Sequence, residues 1–191
     1  MRRFVRPGWL LLALTTVSFA LFAQNAPEYL TTTQTAPTGA APGMKVKLLS
    51  ENNGQKDYVV VFREGDEFVA GLTQFAQEYH VQSAHLTALG ALRDAKLGWY
   101  SPEKKAYRVI PLPDQVEVDA LVGDIAILNG KPSVHMHCVL SLPDGSIRGG
   151  HVLGGHVEPL LEVWVTVNPT PLLKKYDPQT GLNLMDPEAK Q

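Results

Sequence analysis

The sequence predicts an α+β domain in which one main helix packs on a mostly antiparallel sheet of short strands. Runs of alternating apolar and polar residues, bounded by Gly, Pro, Asn or Asp, recur between residues 44 and 168 and are typical of β-strands. A single run, residues 67–80, instead repeats its apolar side chains at helical spacing. Many short strands and one helix together indicate an α+β fold dominated by antiparallel sheet.

The strands are predicted where β-prone runs meet turn signals. Asn52-Asn53-Gly54 separates the first two strands, and Gly90 indicates a bulge or a close backbone approach. Residues 157–161 are interpreted as a connector, with one helical turn near Pro159. The predicted strands cover residues 44–49, 57–63, 81–91, 95–100, 106–110, 115–122, 124–128, 133–142, 146–153 and 162–167.

The predicted helix carries Phe68, Leu72 and Phe75 on one face, which would pack against the sheet. Asp66 precedes it and is the expected N-cap, because a short acidic side chain can accept a hydrogen bond from a free backbone N–H of the first turn. We interpret this element as a core helix with no further role.

Residues 1–23 are predicted to be a secretory signal peptide. Arg2, Arg3 and Arg6 form a basic start, and an uncharged apolar run follows. That run is interrupted by Thr and Ser and is shorter than the ~20 apolar residues that a spanning helix needs. An uncleaved membrane anchor is the alternative. After cleavage we expect a periplasmic or extracellular protein with no membrane attachment.

The rest of the chain divides by composition into three parts. Residues 24–43 are rich in Thr, Ala and Pro and are predicted to be a flexible linker. Residues 44–168 are predicted to form one folded domain. Residues 169–191 contain several prolines and are predicted to be a loose tail on the surface.

Charge argues against a nucleic-acid partner. Removing the signal peptide takes away three of the 17 basic residues and none of the 19 acidic ones, which leaves a formal charge of −5. A nucleic-acid-binding domain normally carries a basic patch, and this chain has only isolated Lys pairs. Its single cysteine, Cys138, cannot form an internal disulfide, so a metal or oligomerisation would help an exported chain to be stable.

Four of the six histidines lie within residues 133–156. On a strand, His135 and His137 share one face. A two-residue hairpin turn at Asp144-Gly145 would place His151 on the opposite face, whereas one extra residue brings His151 directly across from His137. The sequence therefore predicts an odd-length loop or a bulge between Leu142 and His151.

Three imidazoles on adjacent strands predict a metal site formed by His135, His137 and His151. Zinc suits three histidines with an open fourth position, and another divalent transition metal is also compatible. His156 is a weaker candidate and is interpreted as a loop residue, and His80 and His85 as structural residues. Cys138 would face away from the histidines as a buried apolar side chain.

Several motifs resemble the plants-and-prokaryotes conserved (PPC) domain over about residues 58–167, in the same order. They are Gly65-Asp66-Glu67, Ser83-Ala84, Leu89-Gly90-Ala91, Leu97-Gly98-Trp99-Tyr100, Val122-Gly123-Asp124-Ile125-Ala126, His135-Met136-His137, Asp144-Gly145, Gly149-Gly150-His151 and Glu162-Val163. The resemblance implies a compact α+β subunit that forms a homotrimer, with a metal bound by His135, His137 and His151. In plants the domain accompanies AT-hook segments that bind DNA, and no Arg-Gly-Arg-Pro hook occurs here.

The domain is also similar, at the level of fold, to acetolactate decarboxylase and to a zinc-dependent ester hydrolase. The function favoured by the sequence is an exported, trimeric metal-binding protein with a small-molecule or regulatory ligand, and the sequence does not specify its biological role. The alternative is a metal-dependent lyase or hydrolase acting on a small carbonyl or ester substrate, with Glu162 as general acid/base and Arg148 binding a carboxylate. DNA binding, as in the plant relatives, is the second alternative. The sequence leaves open whether the chain is an enzyme.

Overall fold

The computed structural model describes residues 26–34 and 38–189. The predicted signal peptide, residues 1–23, lies outside the described residues. Within the described ranges, no helix combines the length and the apolar character needed to cross a membrane.

The described residues form ten strands and one helix, a mostly β-sheet fold with a single short helix, as predicted. In chain order the elements are β1 (Tyr29–Leu30), β2 (Lys45–Asn52), β3 (Gln55–Arg63), α1 (Phe68–Glu78), β4 (Ala84–Ser101), β5 (Ala106–Leu112), β6 (Val116–Leu128), β7 (Lys131–Ser141), β8 (Ile147–Val167), β9 (Leu173–Asp177) and β10 (Leu182–Asp186).

The strands join into one sheet with the order β1-β5-β4-β6-β7-β8-β3-β2. Neighbours on this path are antiparallel, and β9 joins β6 in parallel at Leu128 and Lys174. Strand β8 also pairs with β4, so that β4, β6, β7 and β8 form a closed ring. The side chains on one face of these strands are fully or almost fully buried, among them Leu86, Leu121, Met136, Leu140 and Val163.

Helix α1 packs on the sheet through the apolar face that its spacing predicted. Phe62 from β3 and Phe68, Leu72 and Phe75 from α1 are all completely buried. The rings of Tyr58 and Phe75 meet edge to face with centroids 5.4 Å apart, an arrangement that stabilises aromatic pairs. This contact joins α1 to β3, while the helix as a whole packs over β7 and β8.

The N-cap prediction was wrong by one residue. Glu67 caps α1, with its carboxylate accepting a hydrogen bond from Ala70 N at 2.6 Å. Asp66 instead accepts hydrogen bonds from Arg63 N at 2.9 Å and Gly43 N at 2.8 Å, and so fixes the turn that precedes the helix. Both carboxylates are buried, and both satisfy backbone N–H groups.

Two strands are far longer than the short strands that we predicted. Strand β4 has 18 residues and β8 has 21. The connector predicted for residues 157–161 was wrong, because these residues continue β8. The segment around Pro159, which the sequence indicated as a break between strands, is instead an irregularity inside the continuous strand β8. At Gly90 the register shifts as predicted and φ is +146°, and a Cβ there would collide with Leu160 O.

The segments that flank the predicted domain are also part of the sheet. Within the predicted flexible linker, Tyr29 and Leu30 pair with β5, and Ala41 is buried. Within the predicted loose tail, β9 and β10 form an antiparallel hairpin. Both predictions were wrong at these residues, since composition marks the prolines of these segments but not the short strands between them.

Candidate metal centre

His135 and His137 lie on one face of β7, as strand alternation requires. The intervening Met136 and the following Cys138 point into the core, where they are 2% and 5% exposed. The core therefore holds one face of β7 and leaves both imidazoles on the other face.

His151 reaches the same face because the β7–β8 hairpin has a three-residue loop. Leu142 N donates to Ser146 O at 2.9 Å, which leaves residues 143–145 as the loop. Gly145 in this loop has φ +79°, a conformation that glycine adopts without steric cost. The odd loop places His137 directly opposite His151, which confirms the predicted register.

The three imidazoles form one compact cluster. Their ring centroids lie 5.3 Å apart for His135 and His137, 5.1 Å for His135 and His151, and 5.4 Å for His137 and His151. One potential ligand nitrogen from each ring lies within 4.8 Å of the other two. Two nitrogens bound to one zinc ion can be at most about 4.2 Å apart. Small ring rotations would therefore bring all three nitrogens into bonding distance of one ion.

Tyr107 of β5 and the backbone of β4 hold the ring of His151. The Tyr107 and His151 rings stack with centroids 4.3 Å apart and an interplanar angle of 9°. His151 also lies opposite Gly98 of β4, so it sits where β8 passes from β7 to β4. Its Nδ1 is buried with no hydrogen-bond partner among the described residues. A buried ring nitrogen without a partner is costly, and the cluster therefore fits an external ligand such as a metal ion.

Electrostatics keep two of the imidazoles neutral near pH 7. Burial, together with the charges of His135, His137 and Lys174, lowers the pKa of His151 to about 3. Burial and the neighbouring His135 also lower the pKa of His137. A metal binds neutral imidazole, so at neutral pH these two rings are already in the form that binds.

Asp124 of β6 supports the cluster from the side. It lies directly opposite His135, whose Nδ1 is 3.1 Å from Asp124 Oδ2. The ammonium of Lys174 from β9 lies 2.5 Å from the other oxygen, Oδ1. Burial acts to raise the pKa of Asp124, but the hydrogen bond with His135 and the ion pair with Lys174 outweigh it, and the pKa is lowered. Asp124 is therefore a carboxylate that can accept a hydrogen bond from His135 Nδ1–H.

A cavity of about 610 Å³ opens beside the histidines. His135, His151, Tyr107 and Lys174 line it together with apolar side chains such as Val152. It forms because β8 leaves β7 after the His137–His151 pair, so that among the described strands the first half of β7 pairs with β6 alone. A cavity of this size accommodates a small molecule beside the cluster.

The two residues predicted to be catalytic do not lie at the cluster. Glu162 pairs with Val61 of β3 and Leu89 of β4, and β4 and β6 separate it from His137. Arg148 lies three residues before His151 and thus on the opposite face of β8, where it is exposed and donates to Ile147 O at 2.8 Å. Neither residue lines the cavity.

The remaining histidines and the cysteine stand apart from the cluster. His156 is an exposed strand residue of β8 opposite Arg93, so its interpretation as a loop residue was wrong. His80 follows α1 with φ +54° and ends the helix, while His85 is an exposed residue of β4. Cys138 faces the core as predicted, and burial raises its pKa to about 12.

Three residues of the site were missed in the sequence. Asp124 could have been found from the sequence, because it lies on β6, the strand directly before β7. Side-chain alternation along β6 and β7 places it on the same face as His135. Tyr107 and Lys174 had none, because their contacts join segments that are far apart in the chain. No turn or spacing rule connects Lys174 with Asp124, 50 positions earlier.

Fold and site together define a mostly antiparallel β-sheet domain with three histidines clustered at a hairpin. The family model for the Plants and Prokaryotes Conserved domain (abbreviated PCC or PPC) matches residues 49–169, and the chain belongs to this family. The resemblance inferred from the sequence is confirmed. A search of curated proteins finds no match.

Solved structures with the same fold agree with this assignment. A plant- and prokaryote-conserved protein from Pyrococcus horikoshii is 28% identical, with a TM-score of 0.65 over 77% of this chain and 97% of its own. A metal-containing protein from Archaeoglobus fulgidus is 29% identical, with a TM-score of 0.64, and the match covers 74% of this chain and 96% of its own. A protein from Ralstonia eutropha JMP134, whose name proposes DNA binding, is 30% identical, with a TM-score of 0.64. The match covers 73% of this chain and 95% of its own.

The lowered pKa of His151 predicts a specific acid sensitivity of the metal-free protein. Below the ordinary histidine pKa of 6.5 the unfolded chain binds a proton that the folded chain does not bind until about pH 3. With chelator present, the free energy of unfolding should fall by roughly 2 kcal/mol between pH 6.5 and pH 5 from this group. Urea denaturation at each pH measures it.

The matched control is His151→Phe, which retains a ring to stack on Tyr107 but cannot titrate. Its free energy of unfolding should fall less over the same pH range. An equal fall in both proteins would show that His151 does not cause the acid sensitivity.

Proposed function

We propose that this protein is an exported metal-binding member of the PPC domain family, with zinc held by His135, His137 and His151. The observation that carries the proposal is the cluster itself, in which one ligand nitrogen from each ring lies within 4.8 Å of the others. The unpartnered Nδ1 of His151 and the lowered pKa values of His137 and His151 support it.

Zinc is the preferred ion because three histidines with an open fourth position are a common zinc ligand set. Another divalent transition metal would use the same nitrogens. A relative with 29% identity is named a metal-containing protein, which supports a metal in this chain too. Export rests on the basic and apolar start of the sequence, residues 1–23.

The ligand of this site is proposed to be a small molecule that enters the 610 Å³ cavity beside His135 and His151. When bound, zinc supplies Lewis acidity, which polarises carbonyl and ester groups. The chain's own residues would orient the ligand: the apolar side chains of Val152 and Leu184 contact its body, and the open side of the histidine cluster admits a donor oxygen.

The cavity also favours the alternative function, a metal-dependent lyase or hydrolase for a small carbonyl or ester substrate. Such an enzyme needs a general acid or base near the metal. Among the described residues of the cluster, Asp124 is the only carboxylate, and both of its oxygens are already engaged. A screen of ester and 2-oxo-acid substrates separates the two functions, because an enzyme would show turnover that chelator abolishes.

The second alternative is DNA binding. The formal charge of −5 after removal of the signal peptide argues against it.

A homotrimer, implied by the family resemblance, is proposed as the functional state. An exposed row of side chains crosses the sheet from Trp164 through Thr87 and Val122 to His137. Trp164 is 41% exposed, Val122 58% and the nearby Leu89 53%. Exposed apolar groups in one patch are typical of an interface, and a second copy of the chain seated here would lie against the histidine cluster.

Removing one ligand should abolish stoichiometric metal binding. We expect wild-type protein, purified without its signal peptide and dialysed against zinc, to retain about one ion per chain. His137→Ala should lose this ion, because two imidazoles bind zinc far more weakly than three. Elemental analysis measures the content. His156→Ala, which changes an exposed histidine of β8 that stands apart from the cluster, is the matched control and should behave as wild type. Wild-type protein free of metal after the same treatment would refute the proposed site.

A charge in the apolar row should separate the subunits. We expect Trp164→Glu to reduce the mass measured by light scattering to about one third, because it buries an unpaired carboxylate in the interface. Tyr176→Glu, at an exposed aromatic residue of β9, should leave the mass unchanged. If wild-type protein is already monomeric, the proposed assembly is wrong.

A further inference from the structure

Lys174 is almost completely buried although it belongs to the segment that follows the matched domain. Its side chain is 4% exposed, whereas the next residue, Lys175, is exposed. A lysine is rarely buried unless its charge is paired, because removal of the ammonium from water is costly. The family match ends at residue 169, so Lys174 lies outside the matched residues.

The backbone around Lys174 fixes where its ammonium lies. Lys174 pairs in parallel with Leu128 of β6, and Ile127 N donates to Leu172 O at 2.8 Å. These contacts tie β9 to the end of the strand that carries Asp124. The ammonium thereby lies 2.5 Å from Asp124 Oδ1.

Asp124 links this ammonium to the cluster through its second oxygen. Oδ2 lies 3.1 Å from His135 Nδ1, while Lys174 holds Oδ1. With one oxygen held, the carboxylate cannot turn away from His135. A histidine whose Nδ1–H donates to a carboxylate has its other ring nitrogen, Nε2, free for a metal, and such partners fix the ring and strengthen metal binding.

We propose that Lys174 is a positioning residue of the histidine centre, acting through Asp124 to fix the ring orientation and the tautomer of His135. This inference rests on the proposed metal-binding function. It assigns a role to the C-terminal hairpin: β9 supplies the charge that positions the site, and β10 supplies Leu182, Asn183 and Leu184 to the wall of the same cavity. The β9–β10 hairpin then contributes both a positioning charge and part of the cavity wall to the proposed metal centre.

Zinc affinity tests the proposal directly. Zinc titration against a chromophoric chelator should give a 10- to 100-fold weaker affinity for Lys174→Met than for wild type. Lys175→Met is the matched control, since it changes the neighbouring exposed lysine of the same strand, and its affinity should equal that of wild type. Equal affinities in Lys174→Met and Lys175→Met would overturn the proposal.

A double variant distinguishes positioning from simple support of the hairpin. Asp124→Asn should weaken zinc binding, and Lys174→Met added to it should cause no further loss, because the lysine acts through Asp124. The double variant also removes both buried charges, so it is usable even if Lys174→Met alone leaves Asp124 unpaired and unfolds the protein. A further loss of affinity in the double variant would show that Lys174 only supports the hairpin.

A metal-free readout keeps this inference separate from the proposed function. In chelator-treated wild-type protein, nitrogen NMR of the histidine rings should show His135 mainly as the tautomer protonated at Nδ1. Lys174→Met should reduce that preference, and Lys175→Met should not. If the wild-type protein binds no zinc, the proposed function fails while this measurement still tests the role of Lys174. An unchanged His135 signal in Lys174→Met would refute that role.

Discussion

The register of the β7–β8 hairpin decides whether a three-histidine cluster exists at all. Side chains alternate along a strand, so a slip of one residue would move His151 to the opposite face from His135 and His137. The three-residue loop at residues 143–145 prevents this slip, and Gly145 gives it the positive φ that it needs. Burial of Met136, Cys138 and Leu140 fixes the same register from the core side. The chemistry of the site thus depends on loop length and core packing together.

The site also depends on where β8 changes its neighbour. At His151 the strand pairs with His137 of β7 on one side and with Gly98 of β4 on the other. Beyond this point β8 follows β4, and among the described strands the first half of β7 has no partner on that side. The cavity opens in this gap, and His151, which completes the cluster, also lines it. One topological feature would therefore place the proposed ion and the proposed small-molecule ligand next to each other.

The sequence could predict local features of this arrangement but not the contacts between distant segments. Alternation and the Pro143-Asp144-Gly145 turn signal were enough to place the hairpin. The odd loop followed from the condition that the three histidines share one face. The bulge at Gly90 was predicted, but the signal at Pro159 was ambiguous, because proline can end a strand or form an irregularity within one. Tyr107 and Lys174 were beyond prediction, since the pairing of β4 with β8 and of β9 with β6 decides which residues they meet. Glu162 was chosen because its strand was expected to neighbour the site, and β4 and β6 separate it from His137. Arg148 was chosen because its guanidinium can bind a carboxylate, and it lies on the opposite face of β8.

The Asp124–Lys174 pair shows why a charge beside the proposed metal site needs a partner. A carboxylate beside three imidazoles could compete with the small-molecule ligand for the open coordination position of the proposed ion. It could also turn away from His135 altogether. Lys174 removes both options by holding one oxygen, so the other remains on His135 Nδ1. A buried ion pair contributes little net stability, because desolvation offsets most of the attraction. The ion pair instead fixes the direction of the hydrogen bond between Asp124 and His135, and this bond orients the His135 ring. A neutral apolar pair of the same size could not do this.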